Sequence, residues 1–305
     1  MVDLSFNNYV REMKANTGTP DDFSTYRHQK QQDAPSGDYV YRPDQDALRT
    51  LQRLKPLNLT ISALVRFWKE SWRGELLGHA VKVTPRQFSN LYQIGMECAE
   101  ELHLVLPPMY VIQNPYLNAM TLGLEDDSII IIHSATVDHL SREELKSVIG
   151  HECGHIANGH VLYHTVAQFL ASGAAMLIAW LAQPLRMMLL DWIRKSEITA
   201  DRAGLICAQD ETIATRTLVK LALGSQNLYE QVNVDEYLKQ LDELRGTIGK
   251  FAELTQTHPF LPKRVKALQL FAKSKYYQQR VLGMESTGGM SMTKLDEHVA
   301  KIIAI

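Results

Sequence analysis

The chain has 305 residues, of which 45% are hydrophobic and 22% charged, and its formal net charge is −2. This length is sufficient for one large domain with a buried core, and the small net charge argues against a general basic surface for nucleic acid. The cysteines Cys98, Cys153 and Cys207 form no CxxC pair, which argues against a disulfide framework and a cysteine zinc site. We therefore expect a cytoplasmic protein that binds no nucleic acid.

Residues 1–45 are predicted to form a flexible N-terminal arm. They lack the apolar region of a secretory signal, and from Thr17 to Pro43 they are rich in Gly, Pro, Asp and Gln. Such a composition is typical of a linker or a surface-draped tail; the alternative is a prosegment that covers an active site. We expect the folded domain to span residues 46–282 and residues 283–305 to form a C-terminal tail.

Helical periodicity begins near Asp44. Apolar residues then recur at three- to four-residue steps, as at Leu48 and Leu51, which predicts an amphipathic helix. A further helix is predicted with Thr84 as its N-cap and Pro85 at its first position, because proline is well tolerated there.

Three short runs, at residues 107–112, 118–124 and 128–133, predict β-strands. An acidic turn joins the last two runs, which indicates a hairpin. Residues Ser141 to Glu144 then match a capping box and open a predicted helix. The predicted fold is therefore α+β: a mainly helical domain with a small sheet of three or four strands beside this helix.

The helix after the capping box contains an HExxH motif, which begins at His151 and ends at His155. Residues four apart on a helix differ by about 40° in azimuth and about 6 Å in height, so both imidazoles can hold one metal ion. Glu152 can accept a proton from a water that the metal activates. Downstream, Glu197 and Asp201 share a helix face, so one can bind the metal while the other orients a ligand histidine.

Three motifs follow one another in the chain: HECGH at 151–155, SEITADRAG at 196–204 and THPFLPKR at 257–264. Together they resemble peptidase family M48, whose members are gluzincin metallopeptidases such as the bacterial heat-shock membrane protease and the CAAX prenyl protease. The resemblance covers about Pro85 to Ala272. It implies the gluzincin fold and zinc-dependent hydrolysis of peptide bonds.

The resemblance also implies a role for each matching side chain. The implied ligands of a single zinc ion are His151, His155 and Glu197. Glu152 would be the general base, and His258 would donate a hydrogen bond to the tetrahedral oxyanion. Asp201 would orient a ligand histidine, and Arg264 would brace the glutamate ligand.

The substrate is expected to bind along an edge strand. The segment Asn118-Ala119-Met120-Thr121 resembles the family's asparagine–alanine strand, which would pair with the substrate backbone by strand addition. This implies a peptide or an unfolded or membrane-associated protein as substrate. The rival functions are a non-catalytic binding or chaperone module and a zinc hydrolase for a non-peptide substrate.

Other residues near the motif are possible further ligands. Cys153 replaces the aliphatic residue usual in the family and is expected to pack inward; the alternative, a thiolate ligand, requires it to point to the ligand face. The remaining histidines near the motif are interpreted as surface or core residues: His133, His139, His160 and His164.

The uncharged run from Thr165 to Ala182 has eighteen residues, the edge of membrane-spanning length, but its many alanines make it weakly hydrophobic. His155 and Glu197 flank this run and must reach one metal ion, which a single membrane span would prevent. We therefore expect a buried helical hairpin over residues 165–193. The alternative is peripheral membrane contact through Leu185, Met187, Met188, Leu189, Leu190 and Trp192.

Overall fold

A computed structural model describes residues 38–53, 62–63, 65–66, 74, 78–124, 126–171, 183–244, 259–285 and 288–304. Within these ranges the fold is α+β and mainly helical, as predicted, with one four-stranded sheet. The helices are α1 (Arg42–Gln52), α2 (Ser89–Glu101), α3 (Ser134–His139), α4 (Arg142–Ala157), α5 (Val161–Ala171), α6 (Gln183–Ala208), α7 (Glu211–Leu223), α8 (Gln226–Tyr229), α9 (Val234–Leu244), α10 (Leu261–Ala272) and α11 (Met292–Ile303). The strands are β1 (Ala80–Lys82), β2 (Met109–Ile112), β3 (Ala119–Leu124) and β4 (Asp127–His133), and a π-helical turn spans Tyr277–Val281.

The sheet has the strand order β1-β2-β4-β3. β3 and β4 are antiparallel, which confirms the predicted hairpin, whereas β2 and β4 are parallel. The sequence analysis missed β1, because three residues are too few to show an alternating pattern. In the described part of the chain β3 lies at one end of the sheet and is therefore an edge strand.

Along β3, the backbone N–H and C=O groups of one residue point toward β4, and those of the next residue point away from it. The Asn118 carbonyl accepts a hydrogen bond from β4 at 3.1 Å. On the opposite side, the Gly123 N–H donates to Thr165 Oγ1 on α5 at 3.0 Å, and this hydroxyl also contacts the Gly123 carbonyl at 3.2 Å. Ala119 and Thr121 have the same parity as Gly123, so their backbone groups point to the open edge of the sheet.

The predicted capping box opens α4. The Ser141 hydroxyl accepts a hydrogen bond from the Glu144 N–H at 3.3 Å, and the Glu144 carboxylate accepts one from the Ser141 N–H at 2.9 Å. Cys153, in the middle of this helix, is fully buried, as expected for a small apolar side chain that packs inward.

The predicted helix start at Thr84 is wrong. Thr84 and Gln87 exchange two backbone hydrogen bonds, at 2.9 and 3.0 Å, and close a tight turn that contains Pro85. α2 begins only at Ser89, after Phe88 adopts a left-handed conformation with φ of 59°. Proline favours the first turn of a helix and the second position of a β-turn alike, so the sequence pattern did not separate the two.

Helices α4 and α6 approach closely because glycines line their contact. A Cβ atom added to Gly154 would lie 2.6 Å from the Cβ of Ala203, and one added to Gly150 would lie 2.6 Å from the Cβ of Cys207. Such distances are shorter than any ordinary van der Waals contact. The close approach lets the HExxH residues of α4 meet the carboxylates of α6.

Gly154→Ala is expected to lower the free energy of unfolding by about 1–3 kcal/mol, because the added methyl group overpacks this contact. Urea denaturation checks the value. The control is Gly78→Ala, where an added Cβ meets nothing within 4 Å and the expected change is within about 0.5 kcal/mol. Equal stability of both variants would show that α4 and α6 can move apart without cost.

Both ends of the described chain pack against α6. Tyr39, Tyr41 and Asp44 are buried, so residues 38–45, which the sequence analysis assigned to the flexible arm, belong to the packed domain. In α11, Asp296 forms a buried ion pair with Arg202 of α6 at 2.7 Å, so this part of the predicted C-terminal tail is packed as well. The sequence pattern could not reveal either contact, because both join residues far apart in the chain.

The weakly hydrophobic run lies partly outside the described residues, since α5 ends at Ala171 and α6 begins at Gln183. At the start of α6, Leu189, Leu190 and Trp192 are buried. These three side chains are therefore unavailable for the alternative of membrane contact. Among the helices that the structure describes, none combines the length and the apolar character needed to cross a bilayer.

Candidate active site

Two helices bring three potential metal ligands together. The Nε2 atoms of His151 and His155 on α4 are 3.2 Å apart. The Glu197 carboxylate on α6 lies 3.6 Å from His151 Nε2 and 3.5 Å from His155 Nε2. Ligand atoms that bind one ion tetrahedrally, with bonds of about 2.0–2.1 Å, are separated by about 3.3 Å. The donor atoms and their spacing therefore fit a single zinc-like ion.

A carboxylate and a guanidinium surround these ligands. Asp201 Oδ1 lies 3.0 Å from His151 Nδ1. Arg264 on α10 donates two hydrogen bonds to Asp201, at 2.8 and 2.6 Å, and its Nη1 lies 3.1 Å from the Glu197 carboxylate. One guanidinium thus joins the carboxylate of Glu197 to the carboxylate that contacts His151.

The charges of this cluster determine its pKa values. Burial acts to raise the pKa of Asp201, but Arg264 and His151 together outweigh burial and lower it. Burial acts to lower the pKa of Arg264, but Asp201 and Glu197 outweigh burial and raise it. Asp201 therefore stays ionised and can accept the Nδ1 proton of His151, which leaves Nε2 for the metal.

The two histidines respond differently to their surroundings. Burial lowers the pKa of His155 to about 4, so its imidazole is neutral near pH 7 and has a lone pair for a metal. Burial also acts to lower the pKa of His151, but Asp201 and Glu197 outweigh burial and raise it. A metal ion must compete with a proton at His151, so metal affinity is expected to fall with decreasing pH.

Glu152 is buried at the same site, and burial raises its pKa. The Thr121 hydroxyl on β3 donates a hydrogen bond to Glu152 Oε2 at 2.7 Å. The sequence analysis placed Thr121 in the substrate-binding strand and missed this side-chain contact. Periodicity shows which face of a strand a residue occupies, but not which helix residue lies opposite it.

A cavity of about 340 Å³ lies beside Glu152 and the candidate metal centre. Asn118 and Ala119 contribute the end of the open edge, while His151, Glu152 and Glu197 contribute the polar wall. The apolar wall comes from the segment just before β3 and from helices α4, α7 and α10. Its residues include Leu117, Val148, Leu218, Leu221, Leu261 and Leu268. Met120, the remaining predicted strand residue, is half-buried.

His258, the predicted oxyanion donor, lies outside the described residues. Its neighbour Pro259 lines the cavity. Among the histidines interpreted as surface or core residues, His160 is buried and its Nδ1 lies 3.1 Å from His155 Nδ1. The sequence analysis missed this contact because His160 lies beyond the end of α4, and its position depends on the turn at Gly159.

The model of peptidase family M48 matches residues 85–272 of the chain. The chain belongs to peptidase family M48. The match confirms the predicted family. The cluster of His151, His155 and Glu197 is the candidate metal centre of this chain.

Two curated relatives illustrate the similarity. The chain is 33% identical over 216 residues to the plastoglobule-localized metallopeptidase 48, chloroplastic, of Arabidopsis thaliana, an alignment that covers 67% of this chain and 63% of the relative. It is 27% identical over 219 residues to a protease HtpX homolog of Helicobacter pylori strain J99, covering 62% of this chain and 68% of the relative. The chain thus spans just under two thirds of the first relative's length. No solved structure matches it.

Proposed function

We propose that the chain is a zinc-dependent metalloendopeptidase that hydrolyses peptide bonds with a water activated by Glu152. One observation carries this proposal: the ligand atoms of His151, His155 and Glu197 converge within 3.2 to 3.6 Å of one another, and two of these residues, His151 and Glu197, line the same cavity as Glu152. Metal analysis of the purified protein, combined with digestion of an unfolded protein, tests it.

Two imidazoles and one carboxylate are the ligands that zinc takes in catalytic sites, with a fourth position open for water or substrate. Zinc, when bound, supplies Lewis-acid polarisation of the scissile carbonyl and lowers the pKa of the attacking water to about 7. Glu152, which lines the same cavity, would accept a proton from the attacking water and pass it to the leaving amine. The Thr121 hydroxyl holds the Glu152 carboxylate in place through Oε2.

The remaining residues have supporting roles in this proposal. Asp201 fixes the tautomer of His151, and Arg264 holds Asp201 and Glu197 together; the distances of 2.6 to 3.1 Å support both roles. His258 donates a hydrogen bond to the oxyanion, a role supported by the position of its neighbour Pro259 on the cavity.

The substrate pairs with the open edge of β3. The backbone groups of Ala119 and Thr121 point to this edge, and Asn118 and Ala119 reach the cavity. Strand addition requires an extended chain, so we propose unfolded or loop segments of proteins, including membrane-associated proteins, as substrates. The three cysteines are free and buried, in agreement with a reducing compartment such as the cytoplasm.

Ala119→Pro is expected to lower kcat/KM on an unfolded protein about two- to tenfold, mainly through KM. Proline removes the N–H that points to the open edge, and one hydrogen bond contributes about 0.5–1.5 kcal/mol. The ladder to β4 is kept, because proline is tolerated where the N–H faces away from the partner strand. Steady-state kinetics measure the effect.

The matched control is Ala119→Ser, which keeps the N–H and is expected to retain kcat/KM. Both variants are expected to bind zinc as the wild type does, since Ala119 contributes no metal ligand. Unchanged kcat/KM for the proline variant would contradict binding of the substrate backbone at this edge.

A further inference from the structure

The second ring nitrogen of the presumed ligand His155 faces another histidine. After α4 ends, Gly159 adopts a left-handed conformation with φ of 69°, and the backbone N–H of His160 donates to the His155 carbonyl at 3.0 Å. This turn brings the two imidazoles together, with 3.1 Å between their Nδ1 atoms. The Nε2 atom of His155 points the other way, toward Glu197.

His160 in turn contacts a buried carboxylate. Its Nε2 lies 3.1 Å from Asp44 Oδ2, and Asp44 and His160 are 0% and 1% exposed. The Thr199 hydroxyl on α6 donates to the same oxygen of Asp44, and Trp192 packs edge-on against the His160 ring at 5.5 Å. The chain from His155 to Asp44 is therefore closed to solvent.

The positions of the protons in this chain follow from metal binding. A metal at His155 Nε2 uses that lone pair, so the proton of His155 must be on Nδ1. The Nδ1 atom of His160 then accepts a hydrogen bond from the Nδ1–H of His155, and the ring proton of His160 is on Nε2. That proton points at Asp44, which accepts it. One arrangement of tautomers thus satisfies every contact.

We propose that His160 and Asp44 position His155 for metal binding, with the Asp44 carboxylate acting on His155 through the imidazole of His160. Asp201 orients His151 directly, at 3.0 Å, so each histidine ligand has its own buried carboxylate. Such partners typically strengthen metal binding 10–100-fold. The inference rests on the metal site of the proposed function but assigns roles to two residues outside its ligand set.

Helix α1 thereby becomes part of the metal centre. Asp44 lies in α1, whereas the family match begins at residue 85. The backbone N–H of Tyr41 also donates to the Thr199 hydroxyl that binds Asp44, which ties this segment to α6 beside Glu197.

The test measures the affinity of the full-length protein for Zn²⁺, in competition with a chelating indicator, and the visible spectrum of the Co²⁺ form. His160→Phe fills the space without a hydrogen-bond acceptor and is expected to weaken Zn²⁺ binding 10–100-fold. His160→Asn keeps an acceptor for His155 but leaves a void, so it is expected to bind Zn²⁺ more tightly than His160→Phe. Asp44→Asn, which keeps an acceptor without the charge, is expected to be intermediate.

Stability separates positioning from packing. The metal-free Asn variant is expected to unfold at lower urea concentration than the Phe variant, the reverse of their order in Zn²⁺ affinity. The matched control is His133→Phe, another buried histidine, whose Nδ1 contacts the Tyr116 carbonyl. It is expected to lose stability while its Zn²⁺ affinity is unchanged.

Three results would overturn the inference. If His160→Phe bound Zn²⁺ as tightly as the wild type, this inference would be overturned while the proposed function stayed intact. Two ions per chain in the wild type, one of them lost in His160→Phe, would instead assign His155, His160 and His164 to a separate metal site, since their ligand atoms also lie within 4.8 Å of one another. A wild-type protein that binds neither Zn²⁺ nor Co²⁺ would overturn the proposed function and this inference together.

Discussion

Glu152→Gln is expected to lower kcat for proteolysis by about 10²–10⁴-fold, the usual contribution of a general base, while one zinc ion per chain stays bound. The amide keeps the shape of the side chain and can still accept the hydrogen bond from Thr121, but it cannot take a proton from water. Hydrolysis of an unfolded protein, followed together with the metal content of the same preparation, measures both quantities.

The control is the same substitution elsewhere on α4. Glu143 is exposed in the first turn of this helix, so Glu143→Gln is expected to retain full activity. Undiminished cleavage by the Glu152 variant would show that another group is the base. A wild-type protein that binds zinc and unfolded chains but cleaves none would favour the non-catalytic binding module.

His151→Ala and Glu197→Ala are each expected to lose most of the bound metal, because two remaining ligands hold zinc far more weakly than three. Glu197→Ala also removes one of the two carboxylates that contact Arg264. Elemental analysis after gel filtration measures the stoichiometry, which is expected to fall from one ion per chain to well below half.

His139→Ala is the matched control for the loss of metal, since this histidine is exposed at the end of α3 and is expected to leave the stoichiometry at one. Far-UV circular dichroism establishes that each variant is folded. Zinc retained in full by both the His151 and the Glu197 variants would contradict the ligand assignment.

The sequence predicted those features that depend on neighbouring residues. The capping box at Ser141 and the hairpin before it are local patterns, so their positions could be read directly. The histidines of the HExxH motif are four residues apart, which fixes them on one helix face. Glu197 could be predicted as a candidate ligand because Asp201 follows it at helical spacing and because the ordered motifs resemble one family.

Contacts between segments far apart in the chain could not be predicted from the sequence. Asp44 meets Thr199 across 155 positions of the chain, and Thr121 meets Glu152 across 31. No periodicity reports which residues face each other across such separations. The sequence favours a surface or core position for His160 because this histidine has no partner at ligand spacing. The left-handed turn at Gly159 nevertheless brings its ring against His155.

The open edge of β3 also affects how the protein behaves toward other copies of itself. An unpaired strand is a template on which identical chains can assemble into larger sheets. In β3 the Thr165 hydroxyl occupies both backbone groups of Gly123, so the part that can pair comprises Ala119 and Thr121 alone. Their backbone groups provide at most about four hydrogen bonds of about 0.5–1.5 kcal/mol each. That is sufficient to hold an extended segment briefly but too little for lasting self-association, and under the proposed function it would let cleaved fragments depart.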